Sequence, residues 1–145
     1  MIHPDKDMDG LTTVNAGRLF SGKDGLFGGT PRAVMAILKH YGISVEGKHA
    51  VIIGRSNVIG KPVAMMLMQK NATICHSRTK NLSEITQQAD ILVTAVGKAG
   101  CVTADMVKPG AIVLDVGINR IHGKTVGDVD YENVFPVVGA VTPVP

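Results

Sequence analysis

With 145 residues, 45% hydrophobic and 19% charged side chains, the chain is long enough for one α/β domain with its own core, and a disordered chain is excluded. Its net charge of +3 is small and its Lys and Arg are dispersed, which favours an anionic small-molecule ligand over a nucleic acid. Aromatic residues make up only 3%, so a nucleic-acid surface of stacked bases is not expected either.

Two cysteines and five histidines show no recognisable metal-binding pattern. Cys75 and Cys101 lack C-x-x-C spacing, which indicates free thiols in a reducing compartment, and the histidines lack the short spacings of a metal pair. No signal peptide opens the chain, and no apolar run reaches the roughly 18 residues of a membrane helix. We therefore expect a cytoplasmic protein with no metal, no nucleic-acid partner and no membrane partner.

The first 27 residues are polar and glycine-rich and show neither helical nor strand periodicity. Asp5, Asp7 and Asp9 alternate as in a calcium-binding loop, but the twelfth position of such a loop needs a bidentate Glu, and here it is Ala16. A solvated or substrate-facing loop is the better interpretation.

The first predicted helix begins at Thr30-Pro31, with Thr30 as the N-cap and Pro31 as the first helical residue. Gly42 ends it at the position after the C-cap, and Gly28-Gly29 form a flexible entry. The apolar positions share one face of this helix: Ala33, Val34, Ile37, Leu38 and Tyr41.

The stretch from Lys48 to Pro62 is the most informative part of the chain. Residues 50–53 predict a short buried strand, Gly54 ends it, and a turn of small residues leads into an apolar helix. The spacing departs from G-x-G-x-x-G, since Ser56 replaces the second glycine and Gly60 comes one residue late, so a tight connection without a ligand is an open alternative. Arg55 within the turn favours an anion, and hence a dinucleotide phosphate site.

Residues 71–75 predict a second strand that ends in His76-Ser77-Arg78-Thr79. In NAD-binding domains an acidic residue at this point holds the ribose 2′-hydroxyl. Here Ser77 and Arg78 stand instead, which suits a 2′-phosphate. With Arg55, they favour NADP over NAD.

The remaining elements continue the alternation of strands and helices. Gly97 and Gly117 each follow a buried strand and let a flat ligand lie close. Asp115 either serves that ligand site or simply holds the amides of the next turn.

The alternation of strands and helices predicts an α/β fold: a doubly wound parallel sheet in a three-layer αβα, Rossmann-like domain. The predicted elements are a helix over 81–88, a strand over 91–97, a helical turn over 103–107, a strand over 111–117 and a last strand over 139–145.

These segments together resemble the bifunctional methylenetetrahydrofolate dehydrogenase/methenyltetrahydrofolate cyclohydrolase family, the FolD proteins. The resemblance covers nearly the whole chain, in several ordered motifs. These are Lys6-Asp7-Met8-Asp9-Gly10, Asn15-Ala16-Gly17-Arg18-Leu19, Thr30-Pro31, residues 54–62, Cys75 to Thr79, Gly97-Lys98, Asp115 to Arg120, Gly127 to Asp130 and Thr142 to Pro145.

The resemblance implies NADP as the cofactor, a folate substrate held at its pterin ring by Asp9, and a homodimer formed through the cofactor domain. It implies hydride transfer from 5,10-methylenetetrahydrofolate to NADP, then hydrolysis of the methenyl product to 10-formyltetrahydrofolate. Thr142 is expected near the nicotinamide. Together with the strand-end residues, the expected cofactor-binding set is Gly54, Arg55, Ser56, Ser77, Arg78, Gly97, Gly117, Ile118 and Thr142.

The chain also departs from the family. Nothing in it matches the upstream Tyr-x-x-x-Lys and Gln-Leu-Pro-Leu-Pro motifs, nor the Gly-Gly-Val-Gly-Pro-Met-Thr segment expected after Pro145, so we expect no catalytic residue in this chain and an absent N-terminal catalytic domain. Residues 1–30 are then the remnant of an interdomain, substrate-facing segment, and residues 31–145 the cofactor domain. Gly28-Gly29 replace a Pro-Cys pair. The second strand is two residues short, which keeps its inside–outside alternation.

Three functions remain open at this point: the cofactor part of the dehydrogenase/cyclohydrolase, a truncated NADP-binding module without turnover, and a remnant without a ligand. Arg55 and the glycine turns disfavour the third. Without the catalytic domain, we expect exposed apolar surface near residues 10–30 and at the chain's end, and hence self-association.

Overall fold

A computed structural model of the protein describes residues 2–68 and 71–145. Five parallel strands form one sheet: β1 Ala50–Ile53, β2 Ala72–Cys75, β3 Ile91–Thr94, β4 Ile112–Asp115 and β7 Ala140–Val141. Their order across the sheet is β2-β1-β3-β4-β7. Two further strands, β5 Asn119–Ile121 and β6 Lys124–Val126, form a separate antiparallel hairpin. The helices are α1 Thr13–Phe20, α2 Gly29–His40, α3 Gly60–Met68, α4 Leu82–Thr86 and α5 Tyr131–Val134, with 3₁₀ turns at Pro4–Lys6 and Ala104–Met106. Within these residues no helix is long and apolar enough to cross a bilayer.

Two apolar clusters, one on each face of the sheet, make the core. Successive residues of β1 point to opposite faces, so Ile52 packs with α2 and α3 while Val51 and Ile53 pack on the other side. All four residues of β1 and of β3 are buried, as expected for central strands covered on both faces. The predicted α/β class, parallel sheet and three layers are confirmed.

The predicted strands are present. Residues 50–53 form β1 with the predicted bounds, whereas the other predicted strands are shorter than expected because pairing stops where the chain turns away. The second strand is complete over four residues and pairs with β1 in continuous register, from Ala50 opposite Ala72 to Ile53 opposite Cys75. Its shortness therefore leaves no break in the ladder. As the edge strand it leaves Ile74 38% exposed.

The start predicted for the first helix is wrong. Gly28 is the N-cap of α2, and its carbonyl accepts the amide of Arg32, so Thr30 and Pro31 lie inside the first turn. Pro31 is tolerated there because the first amides of a helix have no intrahelical acceptor. Gly42 does follow the C-cap with a φ of 64°, as predicted.

The buried stripe of α2 is also narrower than predicted. Pro31, Val34 and Leu38 are buried at helical spacing, whereas Ala33 and Tyr41 are exposed. Ala33 lies on the side of the helix opposite Pro31, and Tyr41 lies beyond the last helical residue, His40, so neither reaches the core.

Four features escaped the sequence prediction: the 3₁₀ turn at Pro4–Lys6, helix α1, the hairpin β5–β6 and the short helix α5. Helix α1 lies in the segment expected to lack periodicity; its apolar residues Val14 and Phe20 are 45% and 76% exposed, so no buried stripe marks it. The hairpin β5–β6 turns at His122-Gly123, where both residues have positive φ. This is the two-residue geometry that Asn-Gly usually signals, and His-Gly is a weaker signal for it.

Asp7 holds the start of α1. Its buried carboxylate accepts the amides of Leu11 (3.0 Å) and Thr12 (2.7 Å) and the side-chain amide of Asn15 (3.0 Å). Burial works against its ionisation, but these hydrogen bonds outweigh burial and hold the pKa of Asp7 well below its usual range.

We expect Asp7→Asn to destabilise the chain at neutral pH, because two donors of the new amide would face the same N–H groups. A carboxyl group whose pKa is lowered by folding stabilises the folded state fully at pH values above its ordinary pKa, about 3.9 for Asp. That stabilisation is lost as the pH falls below this value. The difference in unfolding free energy between wild type and Asp7→Asn, measured in urea, should therefore be constant above about pH 5 and shrink in acid. Exposed Asp9→Asn is the control; a pH-independent difference would contradict this role.

Candidate functional site

The carboxyl ends of the five strands bring the predicted residues to one edge of the sheet. Ile53 pairs with Cys75 and with Thr94, and Thr94 pairs with Asp115. The turns that follow β1, β2, β3 and β4 therefore start side by side, with neighbouring strands about 4.8 Å apart. In open parallel sheets this edge is where ligands bind.

The turn after β1 is shaped by close backbone packing. Gly54 has a φ of 138°, and a Cβ there would lie 2.6 Å from the carbonyl oxygen of Ala95. A Cβ on Gly60, the first residue of α3, would overlap the carbonyl oxygen of Gly54. Glycine is thus required at both positions, although the spacing is not that of the standard fingerprint.

This turn also presents unused donors. The Oγ of Ser56 accepts the amides of Ile59 (3.1 Å) and Gly60 (3.3 Å) and so caps α3. The amides of residues 55–58 donate to no other residue in the described ranges 2–68 and 71–145. Open amides at a helix N-terminus, beside the exposed side chain of Arg55, have the donors and the charge that can hold a phosphate group.

The tip of β2 is a closed turn. The amide of His76 donates to the Oγ1 of Thr79 (2.9 Å), the amide of Thr79 donates to the carbonyl of His76 (2.8 Å), and the amide of Arg78 donates to the imidazole Nδ1 of His76 (3.0 Å). The side chains of His76 and Thr79 thus accept hydrogen bonds within this turn. Ser77 and Arg78 are exposed, next to the β1 turn. The short strand therefore still ends in an ordered tip.

The turns after β3 and β4 are open to solvent on one side. Gly97 has a φ of 73°, and no atom lies within 4 Å of the place where its Cβ would be. Ile118, after Gly117, is 76% exposed. Thr142 is half-buried, and its Oγ1 accepts the amide of Asp115 at 2.8 Å, so it ties the segment after β7 to β4.

Two carboxylates, Asp115 and Asp128, lie beneath these turns. Asp115 packs against Gly127, and Asp128 packs against Gly117. Asp115 accepts the amides of Gly117 (2.9 Å), Asp128 (3.1 Å) and Val129 (2.9 Å). A Cβ on Gly127 would overlap the carboxylate of Asp115, and one on Gly117 would overlap that of Asp128. The predicted alternative for Asp115, a carboxylate that holds the amides of the next turn, is what the structure contains.

The two carboxylates differ in their ionisation. Burial raises the pKa of Asp115, and the nearby charge of Asp128 acts in the same direction, against the three amides that it accepts. Burial also disfavours the charge on Asp128, but donors from Asn119 and from the β3 turn outweigh it and lower the pKa of Asp128. The sequence analysis assigned no role to Asp128, because its donors in the β3 turn lie 30–32 residues away and only the fold brings them together.

Asp9 lies apart from this cluster. Its side chain is exposed, and it hydrogen-bonds to no other residue in the described parts of the chain. A cleft of about 430 Å³ opens nearby between α1 and the start of α3, lined by residues that include Leu11, Phe20, Asn57 and Lys61. This cleft joins the N-terminal segment to the amide-lined turn.

No three His, Cys, Asp or Glu side chains within residues 2–68 and 71–145 are placed to share a metal ion. Cys75 is buried and Cys101 half-buried, both as free thiols, and burial raises both thiol pKa values. The expected exposed apolar surface is present near residues 10–30, where Leu11 is 51% and Phe20 is 76% exposed. At the chain's end, by contrast, Val141 and Val144 are half-buried.

Comparison with known proteins assigns residues 28–145 to the model described as "Tetrahydrofolate dehydrogenase/cyclohydrolase, NAD(P)-binding domain". The chain is 55% identical to the "Bifunctional protein FolD" of Herpetosiphon aurantiacus over 147 aligned positions, covering 99% of this chain and 51% of the relative. The corresponding protein of Acholeplasma laidlawii is 55% identical, with 100% and 53% covered. The chain thus spans about half the length of the curated relatives it matches. The aligned length exceeds the 145 residues of the chain, which agrees with a segment shorter here than in the relatives.

Solved structures show the same likeness. The bifunctional FolD enzyme of Campylobacter jejuni superposes with a TM-score of 0.97 at 48% identity, covering 99% of this chain and 52% of that one. The Trypanosoma brucei methylenetetrahydrofolate dehydrogenase-cyclohydrolase, a structure complexed with NADP cofactor and inhibitor, superposes with a TM-score of 0.91 at 34% identity, covering 99% and 53%.

Proposed function

Because this chain belongs to the tetrahydrofolate dehydrogenase/cyclohydrolase family, we propose that it is the NADP-binding part of a 5,10-methylenetetrahydrofolate dehydrogenase/5,10-methenyltetrahydrofolate cyclohydrolase of one-carbon metabolism. The observation that carries the proposal is the amide-lined turn of residues 54–60, with Arg55 exposed beside the tip of β2. A tight connection alone would not need two arginines, Arg55 and Arg78, on the turns that follow adjacent strands.

The residues at the edge fit such a nucleotide. The amides of residues 55–58 and the N-terminus of α3 would hold the pyrophosphate, and Arg55, Ser77 and Arg78 the 2′-phosphate. The remaining contacts would come from Ser56 and from the turns after the other strands: Gly54, Gly97, Gly117, Ile118 and Thr142. Bound NADP supplies the hydride acceptor for the methylene carbon of the folate.

The residues of this chain would position the cofactor and substrate. Asp9 is exposed and free to contact the folate, and the cleft between α1 and α3 leads from its segment to the nucleotide turn. Hydride transfer depends mainly on holding donor and acceptor together, so it needs no acid or base from these residues. The cyclohydrolase step would depend on a catalytic domain outside residues 31–145, with residues 1–30 facing the substrate between the two.

A second candidate is an NADP-binding module without turnover. The observation that favours it is that both carboxylates beneath the turns, Asp115 and Asp128, accept backbone amides and so serve the fold. Both candidates bind NADP, and they differ in whether the chain oxidises methylenetetrahydrofolate once a catalytic domain is supplied.

We also propose a cytoplasmic homodimer. Exposed Phe20 and Leu11 and the unpaired outer edge of β2, with Ile74 38% exposed, supply apolar surface that association would cover. The few aromatic residues and the modest net charge disfavour a nucleic-acid partner, because such surfaces rely on stacking aromatics and dense positive charge.

Calorimetric titration with NADP and NAD tests the cofactor site. We expect Arg55→Ala to weaken NADP binding by roughly ten- to a hundred-fold, about 1.5–3 kcal/mol, because a charge-assisted contact to the 2′-phosphate is lost. NAD lacks that phosphate, so its affinity should change much less. The control is Lys39→Ala, an exposed cation in the last turn of α2, which should leave both affinities unchanged. If wild type bound neither nucleotide, the proposed function would be wrong.

A further inference from the structure

Asp128 has an unusual set of hydrogen-bond donors for a carboxylate outside the nucleotide turn. The residue is completely buried and lies where the β3 turn, the hairpin and the end of β4 meet. Its carboxylate accepts from the amides of Val96 (2.6 Å), Gly97 (3.1 Å) and Lys98 (2.8 Å), from the Nδ2 of Asn119 (3.0 Å) and from the Oγ1 of Thr94 (3.2 Å).

Three consecutive amides that converge on one point form a nest, a concave group of donors that binds anions. In the turn of residues 96–98 the protein's own carboxylate fills that nest. These amides are therefore not available to a ligand, in contrast to those of residues 55–58. Two glycine turns at the same edge thus have different roles: the β1 turn offers its amides outward, and the β3 turn directs its amides inward.

We propose that Asp128 is a positioning residue for the nucleotide site, an inference that rests on the proposed function. It holds the backbone of residues 96–98 in one conformation, so that Gly97 presents its open side, with no atom within 4 Å of a Cβ, to the ligand. Without the carboxylate, three N–H groups would converge with no acceptor, and the turn would have to rearrange. Asp128 would then act through this turn and without contact to the cofactor.

The alternative is that Asp128 only stabilises the fold. The two roles separate experimentally, because a purely stabilising residue affects the unfolding free energy but leaves the conformation and affinity of the folded site unchanged. Asp90 provides a matched control. It is a partly buried carboxylate at the opposite edge of the sheet that accepts the amide of His49 (2.9 Å) and the Nζ of Lys108 (2.6 Å).

The test compares Asp128→Asn with Asp90→Asn by amide hydrogen exchange without nucleotide and by NADP titration. We expect Asp128→Asn to raise the exchange rates of amides 96–98 at least about ten-fold and to weaken NADP binding about ten- to a hundred-fold. Asp90→Asn should change neither, even if it unfolds at a similar urea concentration. If Asp128→Asn fails to fold, the milder variant Thr94→Val takes its place. It removes one donor to Asp128 while keeping the shape of the side chain, and it should weaken NADP binding a few-fold.

The inference is overturned if the folded Asp128→Asn protein, or Thr94→Val in its place, binds NADP as wild type does. It is also overturned if amides 96–98 exchange no faster in Asp128→Asn than in Asp90→Asn. If wild type itself binds no NADP, the proposed function fails by that result alone. Exchange in the nucleotide-free chain then decides separately whether Asp128 holds the turn.

Discussion

Gly60→Ala should destabilise the chain by about 2–4 kcal/mol and abolish detectable NADP binding. The new methyl group would overlap the carbonyl oxygen of Gly54 and lie 2.8 Å from the amide nitrogen of Arg55. Both obstacles are backbone atoms, so no side-chain rotation relieves the overlap, and overpacking of this kind costs about 1–3 kcal/mol or more. The β1 turn must move away from α3, which separates the open amides from the helix N-terminus.

Urea unfolding and NADP titration of Gly60→Ala measure the two parts of this effect. Gly29→Ala is a matched control, since Gly29 is likewise the first residue of a helix and no atom lies within 4 Å of its Cβ position. It should be neutral or slightly stabilising, because alanine restricts the unfolded chain more than glycine does. Equal stability of the two variants would mean that α3 does not pack on the β1 turn as described.

Gly127→Ala should destabilise the chain by a similar amount through a different contact, about 2–4 kcal/mol. Its methyl group would overlap the carboxylate of Asp115, a side chain that can move, unlike the backbone at Gly54. Movement would break the hydrogen bonds from the amides of Gly117, Asp128 and Val129. The loss of those bonds, more than the overlap itself, is expected to set the size of the effect.

A double-mutant cycle checks this explanation. With Asp115→Ala the carboxylate is gone and the three amides are already without their acceptor, so adding Gly127→Ala should cost little more. We expect the double variant to be more stable than the sum of the single effects predicts by about 2–3 kcal/mol, nearly the whole cost of Gly127→Ala alone, measured by urea unfolding. Additive effects would show that the methyl group added at Gly127 acts on some other part of the structure.

The same contacts explain how the site is arranged. Asp115 holds the turn after β4 and Asp128 the turn after β3, while Ser56 caps α3 behind the β1 turn. The turns after β3 and β4 are thus fixed from below by carboxylates that do not themselves need to meet the ligand. A preorganised set of turns reduces the ordering cost when a nucleotide binds.

The sequence by itself determined the layers, the strands and the site edge. Short apolar runs that end in glycine and alternate with helical segments predict buried parallel strands, and the register of such strands brings their following turns together. The expected cofactor residues on the strand-end turns lie at that common edge. These features are local patterns, so they can be read without knowing which parts of the chain meet.

Only the tertiary structure decided the rest. The apolar residues of helix α1 are largely exposed, so no periodic pattern marks the helix in the sequence. The start of α2 depends on Gly28, whose carbonyl accepts the amide of Arg32. The role of Asp128 was invisible because its donors Val96 and Lys98 are 32 and 30 residues away, and no local signal marks a carboxylate for a distant nest. Burial and hydrogen-bond partners are properties of the assembled fold. In the sequence Asp7 and Asp9 are two equivalent aspartates of one motif, but in the fold Asp7 is buried and Asp9 is exposed.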